Sequence, residues 1–379
     1  MTRKEILQRL HHKSSRTLFE SVASVGLFFS LLGVTLFAWE NGYWPLVLIG
    51  WLLQAHIGHT NLLAFHEASH YTLHPNRRLN ELQGIILGSV ILTPLSAYRW
   101  VHNQHHIYLG TQRDSELWPF VDPSVKRWRR LLTVAAELLF GFFYTPVIFL
   151  RGVLVAQRIP RATVRRLVWE YVLCLTLWVA VLTAAISFGV TKEFVVGYLI
   201  PAMLAGNLQS LRKFTEHVGL LGHDVPSTTR TVIHSSLLGR LLSASMLHID
   251  LHGPHHLHAK IPHFHLPEAT PIAYEQELCD PITANVFPSY AAAFRAMAGT
   301  LLNPRVGAQW LADSERVALS AKSLAAASNS PAVAIRTARS KERSPSQPPG
   351  TNRAAHVACL FERNEGAMPA NMLQESVYS

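Results

Sequence analysis

The chain has 379 residues, 49% of them hydrophobic and only 15% charged, with a formal net charge of +10. Soluble domains carry roughly 25% charged residues, so this deficit excludes an ordinary water-dissolved globule and indicates that much of the chain sits in lipid. Its basic residues adjoin apolar spans, the pattern of a cytoplasmic membrane face and not of a nucleic-acid partner. Cys174, Cys279 and Cys359 form no CxxC pair, which excludes a disulfide framework or zinc knuckle.

Residues 1–17 open the chain as a basic cytoplasmic segment with Arg3, Lys4, Arg9, Lys13 and Arg16. A spanning helix needs about 20 apolar residues; residues 18–38 qualify, and 44–65 follow after the short linker ENGY. The first stretch is too long for a signal peptide and lacks a small-residue cleavage site. Residues 82–98 are short and contain Pro94, and 131–150 contain Gly141 and Pro146. Arg151, Arg158, Arg161, Arg165 and Arg166 come next, before a second pair of spans at 167–190 and 194–211. The tight loops inside the two pairs contribute only Lys192, so residues 66–166 should begin and end on the cytoplasmic side. The expected fold is therefore an all-α integral membrane protein with about four transmembrane helices in two hairpins. The two doubtful stretches are then re-entrant or interfacial, and six spans is the alternative. Residues 18–310 form the membrane domain, while 311–379 are rich in Ser, Ala, Pro and Arg and read as a disordered tail.

Three histidine clusters punctuate this layout: HEASH at 66–70, HNQHH at 102–106 and HGPHH at 252–256. Residues three or four apart share a helix face. His66 with His70, His102 with His105 and His106, and His252 with His255 and His256 would each present their imidazoles together. The topology brings all three clusters, and His217 just past the fourth span, to one membrane face. Nine nitrogen donors are too many for one four-coordinate zinc and suit two transition metals. Imidazole accepts iron, copper, nickel or zinc, so the donors alone do not name the metal. Glu67, Asp114, Glu216 and Asp250 neighbour these histidines and are candidates to orient their N–H groups. His56 and His59 lie inside the second span, as tunnel-lining groups or interhelical bridges. His258, His263 and His265 surround Pro262 and read as non-ligands.

HEASH, HNQHH and HGPHH closely resemble the three histidine boxes of the membrane fatty acid desaturases and their hydroxylase relatives. HYTLHPNRRLN, GTQRDSELWP, RKFTEHVG and HHLHAKIPHFHLP extend the resemblance over residues 15–290 or so. It implies two iron ions in a histidine-rich cytoplasmic cap, with His66, His70, His102, His105, His106, His217, His252, His255 and His256 as ligands. Where many members have an asparagine four residues before the third box, this chain has His248, an additional candidate ligand if the segment is helical. No catalytic side chain apart from the metal centre, and no organic cofactor site, is expected. The implied reaction is oxygen-dependent desaturation of a fatty acyl chain. Hydroxylation or ketolation of a fatty acid, alkane or carotenoid is the alternative on the same scaffold, and a non-catalytic metal-binding membrane protein the alternative of another class. No flavin or nicotinamide fingerprint and no HPGG haem motif occurs (His74-Pro75-Asn76 departs at the glycines). Electrons should come from a separate ferredoxin, or a cytochrome-b5-like protein with its reductase. Arg77, Arg78, Lys126, Arg127, Arg129 and Arg130 would form the docking face. The expected location is a bacterial inner membrane, multi-pass.

Overall fold

A computed structural model describes residues 3–122, 124–156, 158–220, 224–274 and 285–301; the tail expected from residue 311 lies outside them. The described chain is mostly helical. After α1 (Arg3–Leu10), two long helices, α2 (Arg16–Glu40) and α3 (Trp44–Ser69), pack along each other. Their apolar faces are joined by two polar ties: Ser24 Oγ donates to Asn61 Oδ1 at 2.8 Å, and Thr35 Oγ1 to Gln54 Oε1 at 2.9 Å. Such bridges matter because lipid gives packed helices no hydrophobic drive to associate.

The next pair, α4 (Arg77–Val90) and α5 (Leu95–Ile107), is bent by 98° at the break that holds Pro94. Asn76 caps α4 by accepting from the Arg78 and Leu79 N–H groups. No residue beside α5 does the same for its first turn. Its cap comes from α7 (Arg161–Ser187): the Ser96 N–H and Oγ donate to the buried Glu170 carboxylate at 2.8 and 2.7 Å.

α6 (Arg127–Leu154) departs from helical geometry at Phe140, with φ −132° and ψ 32°. There the Gly141 N–H, which a regular helix would direct at the Glu137 carbonyl, donates to Asn207 Oδ1 at 3.1 Å instead. Gly141 meets Gly206 of α9 (Ile200–His217) so closely that a Cβ on either would collide with the other helix's backbone. Both arms of α6 return to the segment after α5. Val134 packs with Leu117, Phe120 and Val121, while the Arg151 guanidinium lies 3.8 Å from the Trp118 ring centroid.

A short helix, α8 (Thr191–Phe194), and a five-residue π-helical segment, Val195–Leu199, run directly into α9. Pro201 has no N–H to offer the Gly197 carbonyl; Gln54 Nε2 donates to that oxygen at 2.9 Å, and Trp51 Nε1 to the Val196 carbonyl at 2.8 Å. Beyond α9 come α10 (Val225–Thr228), β1 (Thr231–Val232), α11 (Leu237–Ser245), α12 (His252–Leu257) and α13 (Leu266–Ala273). Strand β2 (Val286–Phe287) pairs parallel with β1, and α14 (Tyr290–Leu301) ends the described chain.

Among the described residues, five helical stretches are long and apolar enough to cross a membrane, α2, α3, α6, α7 and the run Thr191–His217, or six if the bent pair α4 and α5 counts as one span. Five is one more than the four expected from sequence. The addition is α6, which bends at Phe140, beside Gly141, and continues through Pro146, so the run stays long enough to qualify. Large apolar side chains such as Leu175, Val179 and Ile186 cover the outward face of α7, as lipid contact requires.

Candidate metal centre

The three boxes converge because each sits at the end of an element pointing to the same place. His66 lies in the last turn of α3 and His70 is its C-cap; His102, His105 and His106 close α5; His217 is the last residue of α9; and α12 carries His252, His255 and His256. Gly253 allows α12 to seat. A Cβ there would strike the Tyr274 hydroxyl, and the Gly253 N–H donates to Thr231 Oγ1 at 3.0 Å. Eight of the nine imidazoles are buried and His106 is partly so.

They sort into two groups. His66, His70, His102, His106 and His255 bring one ring nitrogen each to within 4.8 Å of one another. His105, His217 and His256 do likewise, and His252 joins them through Nε2–Nε2 distances of 2.7 Å to His217 and 3.1 Å to His256. The groups adjoin, with the rings of His106 and His256 stacked at 4.1 Å between centroids.

Carboxylates set the tautomers. His102 Nδ1–H donates to Glu116 Oε2 at 2.8 Å, and His105 Nδ1–H to Asp114 Oδ2 at 2.9 Å. In the neutral ring, the form a metal ligand takes, each Nε2 is then a bare lone pair. His102 Nε2 nevertheless lies 3.1 Å from both His70 Nε2 and His106 Nε2. Several lone pairs facing inward repel unless a cation lies among them. The fully buried His255 makes the same point, since neither of its ring nitrogens has a hydrogen-bond partner among the described residues. Leaving such a group unpaired costs about 1–3 kcal/mol. Burial first, then competition with neighbouring imidazoles for protons and, for some, a nearby arginine, pushes His70, His252, His255 and His256 well below the usual imidazole value. They are neutral, as metal ligation requires. The donor set thus fits two nitrogen-ligated transition metals.

The other candidates fall in different places. Glu216 forms an ion pair with Arg212 and lies 3.5 Å from His252 Nε2, with Tyr290 Oη donating to its other oxygen at 3.4 Å. Glu67 Oε1 is 3.9 Å from His66 Nδ1, beyond hydrogen-bond reach, and its Oε2 accepts from Thr72 Oγ1 at 2.8 Å and the His263 N–H at 3.2 Å. Asp250 turns away from the boxes, accepting from Ser243 Oγ at 2.8 Å with His234 Nε2 3.5 Å distant. His248 belongs to neither group: its backbone is left-handed (φ 51°), which breaks the helix that its spacing to His252 presumed, and Nδ1 meets Ser243 Oγ at 3.0 Å. His263 pairs with Glu20 at 2.9 Å. His56 Nε2 lies 3.0 Å from Ser245 Oγ, and His59 is buried. Glu116 was not singled out from sequence, although it lies in the GTQRDSELWP stretch.

Two cavities lie close to residues that contact this centre, and no imidazole lines either. An apolar one of about 310 Å³ runs between α2, α3, α4 and α9, lined by Val25, Phe28, Leu62, Leu87 and Ile91 among others. A smaller one of about 30 Å³ shares Leu62 and Ile91 with it and reaches Tyr98 and Glu116. Tyr98 stacks on His102 at 5.1 Å and on Phe149 at 4.6 Å, forming the wall between cavity and imidazoles.

The family model for fatty acid desaturases matches residues 42–288, most of the chain. The chain is similar to the chloroplastic omega-3 fatty acid desaturase of Glycine max, 27% identical over 258 residues, which are 61% of this chain and 54% of that protein. It is also similar to the oleoyl-12-hydroxylase of Ricinus communis, 27% identical over 104 residues, 25% of this chain and 27% of that protein. The matches thus span about half the first relative and about a quarter of the second. The family match and the buried histidine groups agree: this chain is a member of the fatty acid desaturase family.

Proposed function

We propose that the chain is an oxygen-dependent desaturase of fatty acyl chains, working at two iron ions. His66, His70, His102, His106 and His255 would hold one ion, and His105, His217, His252 and His256 the other. The observation that carries this reading is the pair of buried imidazole groups, in which Glu116 and Asp114 accept from the Nδ1–H of His102 and His105 and leave their Nε2 atoms facing inward. Bound iron supplies the oxidising power toward an unactivated C–H bond that side-chain acid–base groups lack. The chain supplies position and dryness. Glu116 and Asp114 fix the ligating tautomers of His102 and His105, Arg212 pairs with Glu216 beside His252, and Phe65, Tyr98 and Phe149 screen the centre from the apolar cavity that would hold the acyl chain. For balance, O2, two electrons and two protons together with two hydrogens from adjacent carbons give one double bond and two waters.

The electrons would come from a separate ferredoxin or cytochrome-b5-like protein. Lys126, Arg127 and Arg129 are exposed beside Trp128 and fit an acidic partner, whereas Arg130 is turned inward and donates to the Asp122 carbonyl at 2.9 Å. The membrane domain would comprise residues 18–310, with residues 1–17 and the histidine centre on the cytoplasmic side of a bacterial inner membrane. The return of both α6 arms to the 117–121 segment supports α6 entering and leaving from one side, which keeps four true spans.

Lipid profiling by mass spectrometry of a host expressing the chain, with iron analysis and oxygen uptake on the purified protein, tests this. About two irons per chain and oxygen consumed in step with a desaturated lipid are expected. A hydroxylated product would favour the second reading, which the similarity to an oleoyl-12-hydroxylase keeps in view. Bound metal without oxygen uptake would leave a non-catalytic metal-binding protein.

A further inference from the structure

We propose that the small cavity beside Glu116 is a subsite for one oxygen function, a hydroxyl or carbonyl, carried by the acyl substrate close to the carbons that react. The inference rests on the acyl-oxidase reading and adds the class of chain. The main cavity is apolar, but the smaller one that shares its Leu62 and Ile91 wall is not: Thr93, Thr145, Gln209, Ser210, Lys213 and Glu116 share the lining with Tyr98 and aliphatic groups. Its volume of about 30 Å³ matches the share of a single water-sized group.

Two polar atoms at this helix crossing lack partners among the described residues. Ser210 Oγ and Glu137 Oε1 are unpaired although each residue is only 1% exposed. Neither can swing out to water. Glu137 and Gly141 stand one turn apart on α6, Gly206 and Ser210 one turn apart on α9, and the two glycines lock the helices at contact. Lys213, three residues beyond Ser210, pairs with the other oxygen of Glu137, so its ammonium is held at the cavity wall. A plain hydrocarbon chain entering here would leave Ser210 unpaired and face a charge. A hydroxyl or carbonyl oxygen would accept from Ser210 Oγ–H and lie beside the ammonium. Sites built to hydrogen-bond a group discriminate strongly against analogues that lack it.

The test uses the full chain in lipid nanodiscs and two 18-carbon acyl lipids, one plain and one with a mid-chain hydroxyl. Retention on the metal-loaded protein, kept without oxygen and reductant, is read by mass spectrometry, so occupancy is measured without turnover. The hydroxylated chain should be retained at least about tenfold better, and Ser210→Ala should bring the two chains to parity while leaving retention of the plain chain unchanged. Equal retention by the unaltered protein, no retention of either, or a preference that survives Ser210→Ala would overturn the subsite and leave the cavity to water. On iron-loaded protein, oxidation of both chains without preference sinks the subsite but not the oxidase. Preference in binding without any oxidation sinks the oxidase but not the subsite.

Discussion

The five-imidazole and four-imidazole groups are built differently. The first draws on α3, α5 and α12 and takes two donors from one helix end, His66 and His70. The second gathers His105 from α5, His217 from α9 and His252 and His256 from α12, and it has more charge around it: Asp114 on His105, and the Arg212–Glu216 pair beside His252. Against an octahedral shell, five imidazoles nearly complete a coordination sphere and four leave it more open. On the proposed reading, the first group mainly retains its metal and the second leaves room for a non-protein ligand. Donor number alone, within one protein and one residue type, would separate the two tasks.

The largest effect should come from removing a donor in the sparser group. His105→Ala leaves three imidazoles there, and lipid oxidation should vanish with the loss of about one iron per chain, read by mass spectrometry of bound metal. His255→Ala leaves four in the other group; activity should be lost too, yet iron should stay nearer two. Equal metal loss in both variants would erase the distinction. Next come the carboxylates. Glu116→Gln and Asp114→Asn should each lower iron affinity or turnover about 10–100-fold, and Mössbauer spectra should show a different one of two iron signals perturbed in each. Reversing Lys126, Arg127 and Arg129 to glutamate should slow reduction by ferredoxin several-fold and spare reduction by dithionite, with the difference shrinking as salt screens the face. Equal effects on both reductants would move the docking site elsewhere. Gly141→Ala should cost about 1–3 kcal/mol through overpacking against Gly206, seen as earlier thermal unfolding in detergent. Removing residues 320–379 should change neither insertion nor product.

The histidine boxes were legible because their information is local: i,i+3 and i,i+4 spacing survives in any helix, and box order with span order brings them to one face. What escaped is what depends on another segment. Glu116 reaches His102 from fourteen residues further on, beyond the end of α5 in irregular chain, and no periodicity links them. Lys213 and Glu137 pair across 76 residues, a contact fixed by the glycine crossing and not by either local sequence. His248 was placed by spacing that assumes a helix, and left-handed backbone at Leu247 and His248 removes that assumption. In α6, Gly141 and Pro146 were visible as possible breaks, but a glycine that ends one helix may merely bend another; the side chain of Asn207, which stabilises the bend, lies in α9.

The capping of α5 by Glu170 has a consequence for how the protein is made. Translation delivers α5, with the whole second histidine box, 74 residues before the carboxylate that receives its first-turn N–H. Until α7 emerges from the ribosome, that amide and the Ser96 hydroxyl, both buried in the folded protein, lack this partner, and a buried polar group left unpaired costs about 1–3 kcal/mol. The second box therefore cannot settle when it is synthesised; it waits for α7, and His217 and α12 follow later still. On the proposed reading, metal loading would accordingly be a late step in the life of the nascent chain. A Glu170→Ala chain should thus be defective in maturation, accumulating as an iron-poor, protease-sensitive membrane protein and not as a well-folded but slow enzyme.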